Sequence, residues 1–272
     1  VKDRSDTSYH AKGKQKLKAG GMFYTAQSGI WQTVWMEYVP EVYITELEAI
    51  PDIDRNVVRI CAHASEPEQK CRITVHQAAI YPEPMKCAED VSSLFGIPET
   101  VITETKGNTS AWIEIPVPDA RLWTCEEPYL YYYKVTMGED QIISYFAMQK
   151  FSLEPDAETE GFPRICLNGK EQFQNGVLDQ GYWPEGLYTP PCDEAFIFDI
   201  TEMKKTGFNM VRKHIKIEPQ RWYYHCDRLG IVVWQDMVNG GERYKHWFVT
   251  YLATVMSWLK IPMRDIYPSL LS

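Results

Sequence analysis

The chain has 272 residues, of which 44% are hydrophobic and 24% charged, and carries a net charge of −9. That length suggests roughly two domains of an ordinary globular protein. The acidic balance argues against a general binder of nucleic acid or anionic membrane, and no apolar run reaches the length of a transmembrane helix. The seven cysteines (Cys61, Cys71, Cys87, Cys125, Cys166, Cys192 and Cys226) are scattered without a C-x-x-C. They suggest neither a zinc site nor a disulfide framework, and a reducing, cytoplasmic setting is expected. No signal peptide opens the sequence and it does not begin with Met, so its start reads as mid-protein.

Lys2, Arg4, Lys12, Lys14, Lys16 and Lys18 mark the first twenty residues, which read as a solvated segment rather than a binding arm. Residues 22–50 alternate apolar and polar side chains, as in Trp31, Thr33, Trp35 and Glu37, which is a strand pattern interrupted at Pro40. From 41 to 153 the runs "NVVRICAHAS", "CRITVHQAAIY", "SAWIEIPVP", "YLYYYKVTM" and "QIISYFAMQKFSL" predict short strands. Turn-rich pieces such as "PDIDR", "TKGNT" and "GED" separate them, and the whole reads as an antiparallel β-sandwich. The acidic stretch 154–163 reads as a linker.

After it the pattern changes. "QFQNGVLDQ" predicts a short strand, and residues 193–207 an amphipathic helix with Ala195, Phe198, Ile200 and Met203 on one face, opened by Asp193 and stopped by Gly207. "FNMVRKHI" predicts a strand, and "EPQRWYYHCDRLG" a helix with Pro219 in its first turn and Gly230 past its end. "IVVWQD" is a third strand and "WFVTYLATVMSWL" a third helix. Alternating strands and helices imply parallel pairing with right-handed crossovers.

In such an array the carboxyl ends of the strands form the chemical face. Three of them carry polar side chains: Asp179 and Gln180, Arg212 to His214, and Gln235 with Asp236. Any one of these is more simply a cap or loop ion pair, but three in succession point to a site. Arg offers fixed donors and His can bind a hydroxyl or move a proton. With no Gly-rich loop before either helix, the set suits a sugar better than a phosphate. The nine tryptophans and seventeen tyrosines fit sugar stacking or a sandwich core equally well. Trp183 and Tyr188, in "GYWPEGLYTPP", can stack on a sugar or pack their own loop.

The run Asn209-x-Val-Arg212-x-His214, Pro219, Trp222-Tyr-Tyr, Asp227, Gly230-Ile-x-Val-Trp resembles the signature of glycoside hydrolase family 2, which includes β-galactosidases, β-glucuronidases and β-mannosidases. "SGIWQTVWMEYVP" is similar to the last strands of that family's jelly-roll domain, residues 122–153 to the end of its immunoglobulin-like domain, and 165–180 to the first strand of its barrel. The resemblance implies a multidomain chain, mainly β with α/β. Residues 1–40 would close a jelly-roll sandwich, 41–153 form an immunoglobulin-like sandwich, and 164–272 supply the first three β/α units of an incomplete (β/α)8 TIM barrel.

The family's members are mostly retaining exo-glycosidases with one Glu as acid/base and another as nucleophile. The first follows an Asn, and this sequence has no Asn-Glu pair; beyond Asp236 its only acids are Glu242 and Asp265. A barrel needs about 200–250 residues. The expectation is therefore an internal fragment that lacks both catalytic carboxylates and is inactive alone. By the motif, Arg212 matches the family's Arg beside the nucleophile, His214 its sugar-contacting His, and Asp236 the acid closing the third strand. Asp179, Gln180 and Trp183 complete the expected substrate-binding set.

The sequence departs from the family where the usual His-Tyr-Pro becomes His214-Ile-Lys-Ile-Glu-Pro219, and where Leu178-Asp179-Gln180-Gly181 replaces the common Asn-(Arg/Lys)-His-Glu. A β-linked sugar is the implied partner, with no cofactor, metal, nucleic acid or membrane. From the uncovered barrel edge, residues 164–272 are expected to be either poorly stable or associated with another chain, as in a homo-oligomer. The alternative is a non-catalytic β-sandwich, either carbohydrate-binding or structural, with an accessory α/β tail.

Overall fold

The computed structural model describes residues 2–7, 10–77, 100–155, 161–240 and 251. The third predicted helix apart from Tyr251, together with Glu242, Asp265 and Cys87, lies outside these residues. A two-strand parallel pair, β1 (Gln15–Lys16) with β2 (Tyr24–Thr25), opens the chain. Residues 26–42 form no strand, contrary to the alternation read there. A strand needs a partner ladder, and here Trp35, Met36 and Tyr38 all project into solvent.

Two antiparallel sheets follow. One has the order β3 (Ile44–Asp52), β4 (Val57–Ala64), β7 (Ile113–Pro116). The other runs β6 (Val101–Asn108), β5 (Lys70–His76), β8 (Tyr131–Met137), β9 (Asp140–Phe146). Their inner faces bury Val58, Ile60, Ile73, Val75, Ile115, Tyr133 and Val135 in one core. Each such aliphatic side chain contributes roughly 1.5–3 kcal/mol by leaving water.

The "TKGNT" piece, read as a turn, lies mostly within β6, and the edge strand itself was not foreseen. Gly107 is there because a Cβ would fall 2.5 Å from Cδ1 of Ile113, so its turn-like signal reports a close approach instead.

Strand β8 is buried on both faces, which explains its unbroken "YYY" run. Tyr131 and Tyr133 face the sandwich core. Tyr132 turns the other way into a second cluster with Trp123, Cys125, Leu130, Leu167 and Val232.

The stretch read as one strand over 141–153 is two. Strand β10 (Phe151–Pro155) pairs antiparallel with β11 (Pro163–Leu167), which also pairs with β12 (Lys170–Glu171). Both ends of the expected linker are thus the rims of a hairpin.

The remainder alternates strands and helices about a parallel sheet: β13 (Gly176–Asp179), α1 (Asp193–Lys205), β14 (Met210–Lys213), α2 (Gln220–Leu229) and β15 (Val232–Gln235). Acidic residues open α1 and lysines close it, each complementing the helix dipole. Its buried face is Phe196 and Ile200 with Met203, spaced i, i+4, i+7; Ile200 and Met203 lie on it as expected, while Phe198 is exposed and Phe196 takes its place. Helix α2 starts after Pro219 and ends on Gly230 in the left-handed region at φ 77°. Among the described residues no helix is long and apolar enough to cross a membrane.

The sandwich covers the amino ends of the parallel strands. Met210 and Val232, the first residues of β14 and β15, pack on the Trp123 cluster. Trp123 Nε1 donates to the Asp227 carbonyl at 2.6 Å, and the Tyr145 hydroxyl donates to the Asp227 carboxylate at 2.8 Å. The carboxyl ends of the same strands point away from this contact.

Candidate functional site

Parallel pairing sets Asp179, Lys213 and Gln235 in one row across the sheet, and Leu178, Arg212 and Trp234 in the next. Successive side chains alternate faces. Val177, Val211 and Val233 pack on the helices with Phe196, Ile200 and Trp222. The Leu178, Arg212, Trp234 row therefore looks away from the helices, and all three residues are exposed.

On that face Arg212 donates Nε to Asp236 Oδ1 and Nη2 to Oδ2, both at 3.0 Å. His214 Nδ1 lies 2.8 Å from the same Oδ2. An ionised carboxylate only accepts, so Nδ1 carries the proton and Nε2 is the ring nitrogen left to a ligand. The Arg212 guanidinium, then His214, hold the Asp236 carboxyl below the usual carboxylate range. So held, Asp236 is a fixed acceptor and is poorly suited to donate a proton in catalysis. Two of Arg212's five N–H groups are used, which leaves three for a hydroxyl or carboxylate ligand.

Behind this face sits a buried charge cluster. Lys213 and Lys216 are each 1% exposed and Glu218 2%. Lys213 Nζ donates to Asp179 Oδ2 at 2.5 Å and to Glu218 Oε1 at 2.9 Å. Lys216 Nζ pairs with Glu218 at 2.8 Å and donates to the carbonyls of Gly181 and Tyr188. Burial pulls the Lys216 pKa down, an effect that the Glu218 carboxylate opposes. Lys213 also sits 4.1 Å from the Trp222 ring centre.

These contacts fix the turn after β14, where Ile215 adopts φ 47°. A β-branched residue there is an outlier that costs on the order of 1–3 kcal/mol and persists only when its surroundings enforce it. Gln235 does so from β15, donating Nε2 to the Lys216 carbonyl at 2.9 Å while accepting from the Tyr223 hydroxyl. His214, one residue earlier, is thereby aimed at Asp236.

Of the expected site residues, Arg212, His214 and Asp236 come together directly. Asp179 belongs to the buried cluster instead, and Gln180 follows it, half-buried. The Trp183 ring packs edge-on to Phe196, with centroids 6.0 Å apart, in the helix-side core. Tyr188 is buried, edge-on to Trp31 at 4.6 Å. Both aromatic rings take the loop-packing alternative.

The roles of Lys213, Lys216 and Glu218 were missed, because a charged residue gives no hydrophobic signal. Alternation alone hinted that Lys213 shares the inward face of Val211. The N-terminal segment is also more engaged than its lysines suggested. Gly13 N donates to the Asn239 carbonyl at 2.7 Å, Thr189 Oγ1 to the Trp31 carbonyl at 2.9 Å, and the Trp31 ring lies 5.2 Å from Lys216 Nζ.

No protein-family model matches the chain. A β-galactosidase of Lactococcus lactis subsp. lactis is 27% identical over 214 residues, 77% of this chain and 19% of that protein. A β-galactosidase of Enterobacter cloacae is 30% identical over 227 residues, 76% of this chain and 20% of that protein. Among solved structures, a Faecalibacterium prausnitzii β-glucuronidase matches with a TM-score of 0.55 at 20% identity, over 73% of this chain and 28% of that one. A Dictyoglomus thermophilum β-D-glucuronidase gives 0.56 at 15%, over 76% and 32%. The chain thus spans about a fifth of the length of the curated relatives it matches. Over about three quarters of its length the chain is similar to β-galactosidases and, in fold, to β-glucuronidases, both members of glycoside hydrolase family 2.

Proposed function

We propose that the chain is part of a retaining exo-β-glycosidase, in which β13 to β15 open the catalytic (β/α)8 barrel and Arg212, His214 and Asp236 form a wall of its sugar site. The sandwich of β3 to β9 is then the immunoglobulin-like domain, and the stretch around Trp31 the close of the jelly-roll. One observation carries the reading: a partly exposed Arg–Asp–His constellation stands at the carboxyl ends of parallel strands, on the face turned away from the helices. In a barrel that face is the interior, and those ends form the rim where chemistry is placed.

Trp234, in register with Arg212 and 46% exposed, offers an apolar face beside the guanidinium donors, a pairing suited to a pyranose ring. The substrate is a β-linked galactoside or glucuronide. Acid/base and nucleophile come from carboxylates outside this sequence. Asp236 is tied to two cationic or donor partners, and Glu218 is buried between two lysines.

The test is binding of galactose- and glucuronic-acid-type iminosugars to the chain, followed by calorimetry. Saturable binding that Arg212→Ala abolishes supports the wall. No binding at millimolar concentration favours a non-catalytic sandwich protein. Aryl β-glycosides should not be hydrolysed, and turnover at enzyme-like rates would overturn the assignment of the catalytic carboxylates.

A further inference from the structure

Strands β3 and β4 pair in register, with Glu48 opposite Cys61 and Glu46 opposite His63. Ile60 and Ala62 point into the sandwich core, so Cys61 and His63 share the outer face with Glu48. His63 Nε2 lies 2.6 Å from Glu48 Oε1 and 3.6 Å from Cys61 Sγ. All three ligand-type atoms fall within 4.8 Å of one another.

A single ring nitrogen can donate to only one of these partners, yet it is aimed between both. A tetrahedral zinc ion about 2.3 Å from sulfur and about 2.0–2.1 Å from nitrogen separates those two atoms by about 3.5–3.6 Å. That is the Sγ–Nε2 distance found here. The carboxylate has to retreat from 2.6 Å to about 3.3 Å to become a third ligand. Glu48, with its side chain 45% exposed, is free to do so. Cys61, 3% exposed, forms the floor of the group, and His63 and Glu48 rise to solvent as its walls.

We propose that Glu48, Cys61 and His63 form a three-ligand site for a first-row divalent metal ion of the zinc class, with water as the fourth ligand. The donor set is the basis for the class. A thiolate with an imidazole selects zinc, cobalt or nickel over magnesium and calcium, which require oxygen. Binding breaks the Cys61 S–H bond, releases that proton to solvent and forms the S–metal bond, with nothing oxidised. The ion clips β3 to β4 on the outside of the sandwich, far in sequence from the strand-end site at Arg212.

The experiment titrates the reduced, metal-free chain with Co²⁺ as a spectroscopic probe and with Zn²⁺ in competition. One equivalent of Co²⁺ is expected to bind with a thiolate-to-cobalt charge-transfer band that Cys61→Ser removes and Cys192→Ser leaves intact. His63→Gln and Glu48→Gln, both at partly exposed positions, each weaken binding at least as much as losing a ligand's hydrogen-bond partner does, roughly 10- to 100-fold. Circular dichroism of the metal-free variants separates these losses from unfolding. A charge-transfer band that persists in Cys61→Ser, or the lack of saturable Co²⁺ and Zn²⁺ binding to the folded wild-type chain, overturns the proposal.

Discussion

The guanidinium of Arg212 and the carboxylate of Asp236 meet in a two-pronged pair from adjacent parallel strands, with Nε and Nη2 each 3.0 Å from one oxygen. Planar fork against planar carboxylate fixes both side chains at once. His214 closes the group on the same oxygen that receives Nη2. The pair is partly exposed, so its consequence is orientation of the site rather than stability of the fold.

For that reason Asp236→Asn should leave the thermal midpoint nearly unchanged. It should weaken iminosugar binding by about 10- to 100-fold, the effect of losing hydrogen bonds to a charged group. Calorimetry read beside a melt separates the two effects. Equal binding by wild type and variant would show that the pair does not orient a ligand. The Asp236 carboxyl is held below its ordinary range by Arg212 and then His214, so the pair's contribution is present above the unfolded carboxylate pKa. It is lost only as pH falls through the lower folded value.

Glu218→Ala should be far more damaging to the fold. It leaves Lys213 with Asp179 alone and Lys216 with only carbonyl partners, all inside the protein. Breaking a buried ion pair on one side costs about 3–5 kcal/mol. Urea denaturation measures it, and a loss below about 1 kcal/mol would mean that water reaches the cluster.

Asp227 makes the chain's stability depend on pH in the opposite sense to most carboxylates. Burial raises its pKa to about 6, although the Tyr145 hydroxyl donates to it. Its folded pKa lies above the unfolded one, so the stabilisation is complete below about pH 4 and lost as pH rises through 6. The lost part is on the order of 2–3 kcal/mol, from two pH units. Asp227→Asn keeps an acceptor for Tyr145 and should flatten this slope, gaining stability relative to wild type at pH 7.5 but not at pH 4. Parallel urea curves of both proteins at the two pH values would contradict it.

Gly230→Ala should cost more than a left-handed backbone alone explains. A Cβ there would lie 2.3 Å from the Cys125 carbonyl oxygen and 2.8 Å from Lys204 Nζ, where the end of α2 meets the sandwich. Gly138 has φ 57° with open space around it. Gly138→Ala should therefore cost about 1 kcal/mol, and Gly230→Ala two to three times that. Similar values for the two would show that the contact yields without resistance.

Much of the architecture was legible. Gly230 past α2, the acids opening α1 and the apolar "IVVW" run all carry local signals, and local signals gave the order and type of these elements. The motif likewise brought Arg212, His214 and Asp236 into one group. Phase and partnership were less legible. Phe196 rather than Phe198 faces inward because the neighbouring strands choose which side of α1 is covered. Residues 26–42 alternate like a strand, yet no ladder runs beside them. Trp183 and Tyr188 carry the composition of a sugar site but pack against Phe196 and Trp31.

By itself, then, the sequence determined what depends on neighbours along the chain: periodicity, caps, turns and the family signature. Tertiary structure alone decided what depends on register between strands. Glu48 stands thirteen positions from Cys61 in sequence and directly opposite it in β3 and β4. Lys213 and Glu218 are charged, yet the fold seals both in the interior. Burial and cross-strand distance are pair properties set by folding, and a residue type states only what it can bond, not which partner the fold will bring to it.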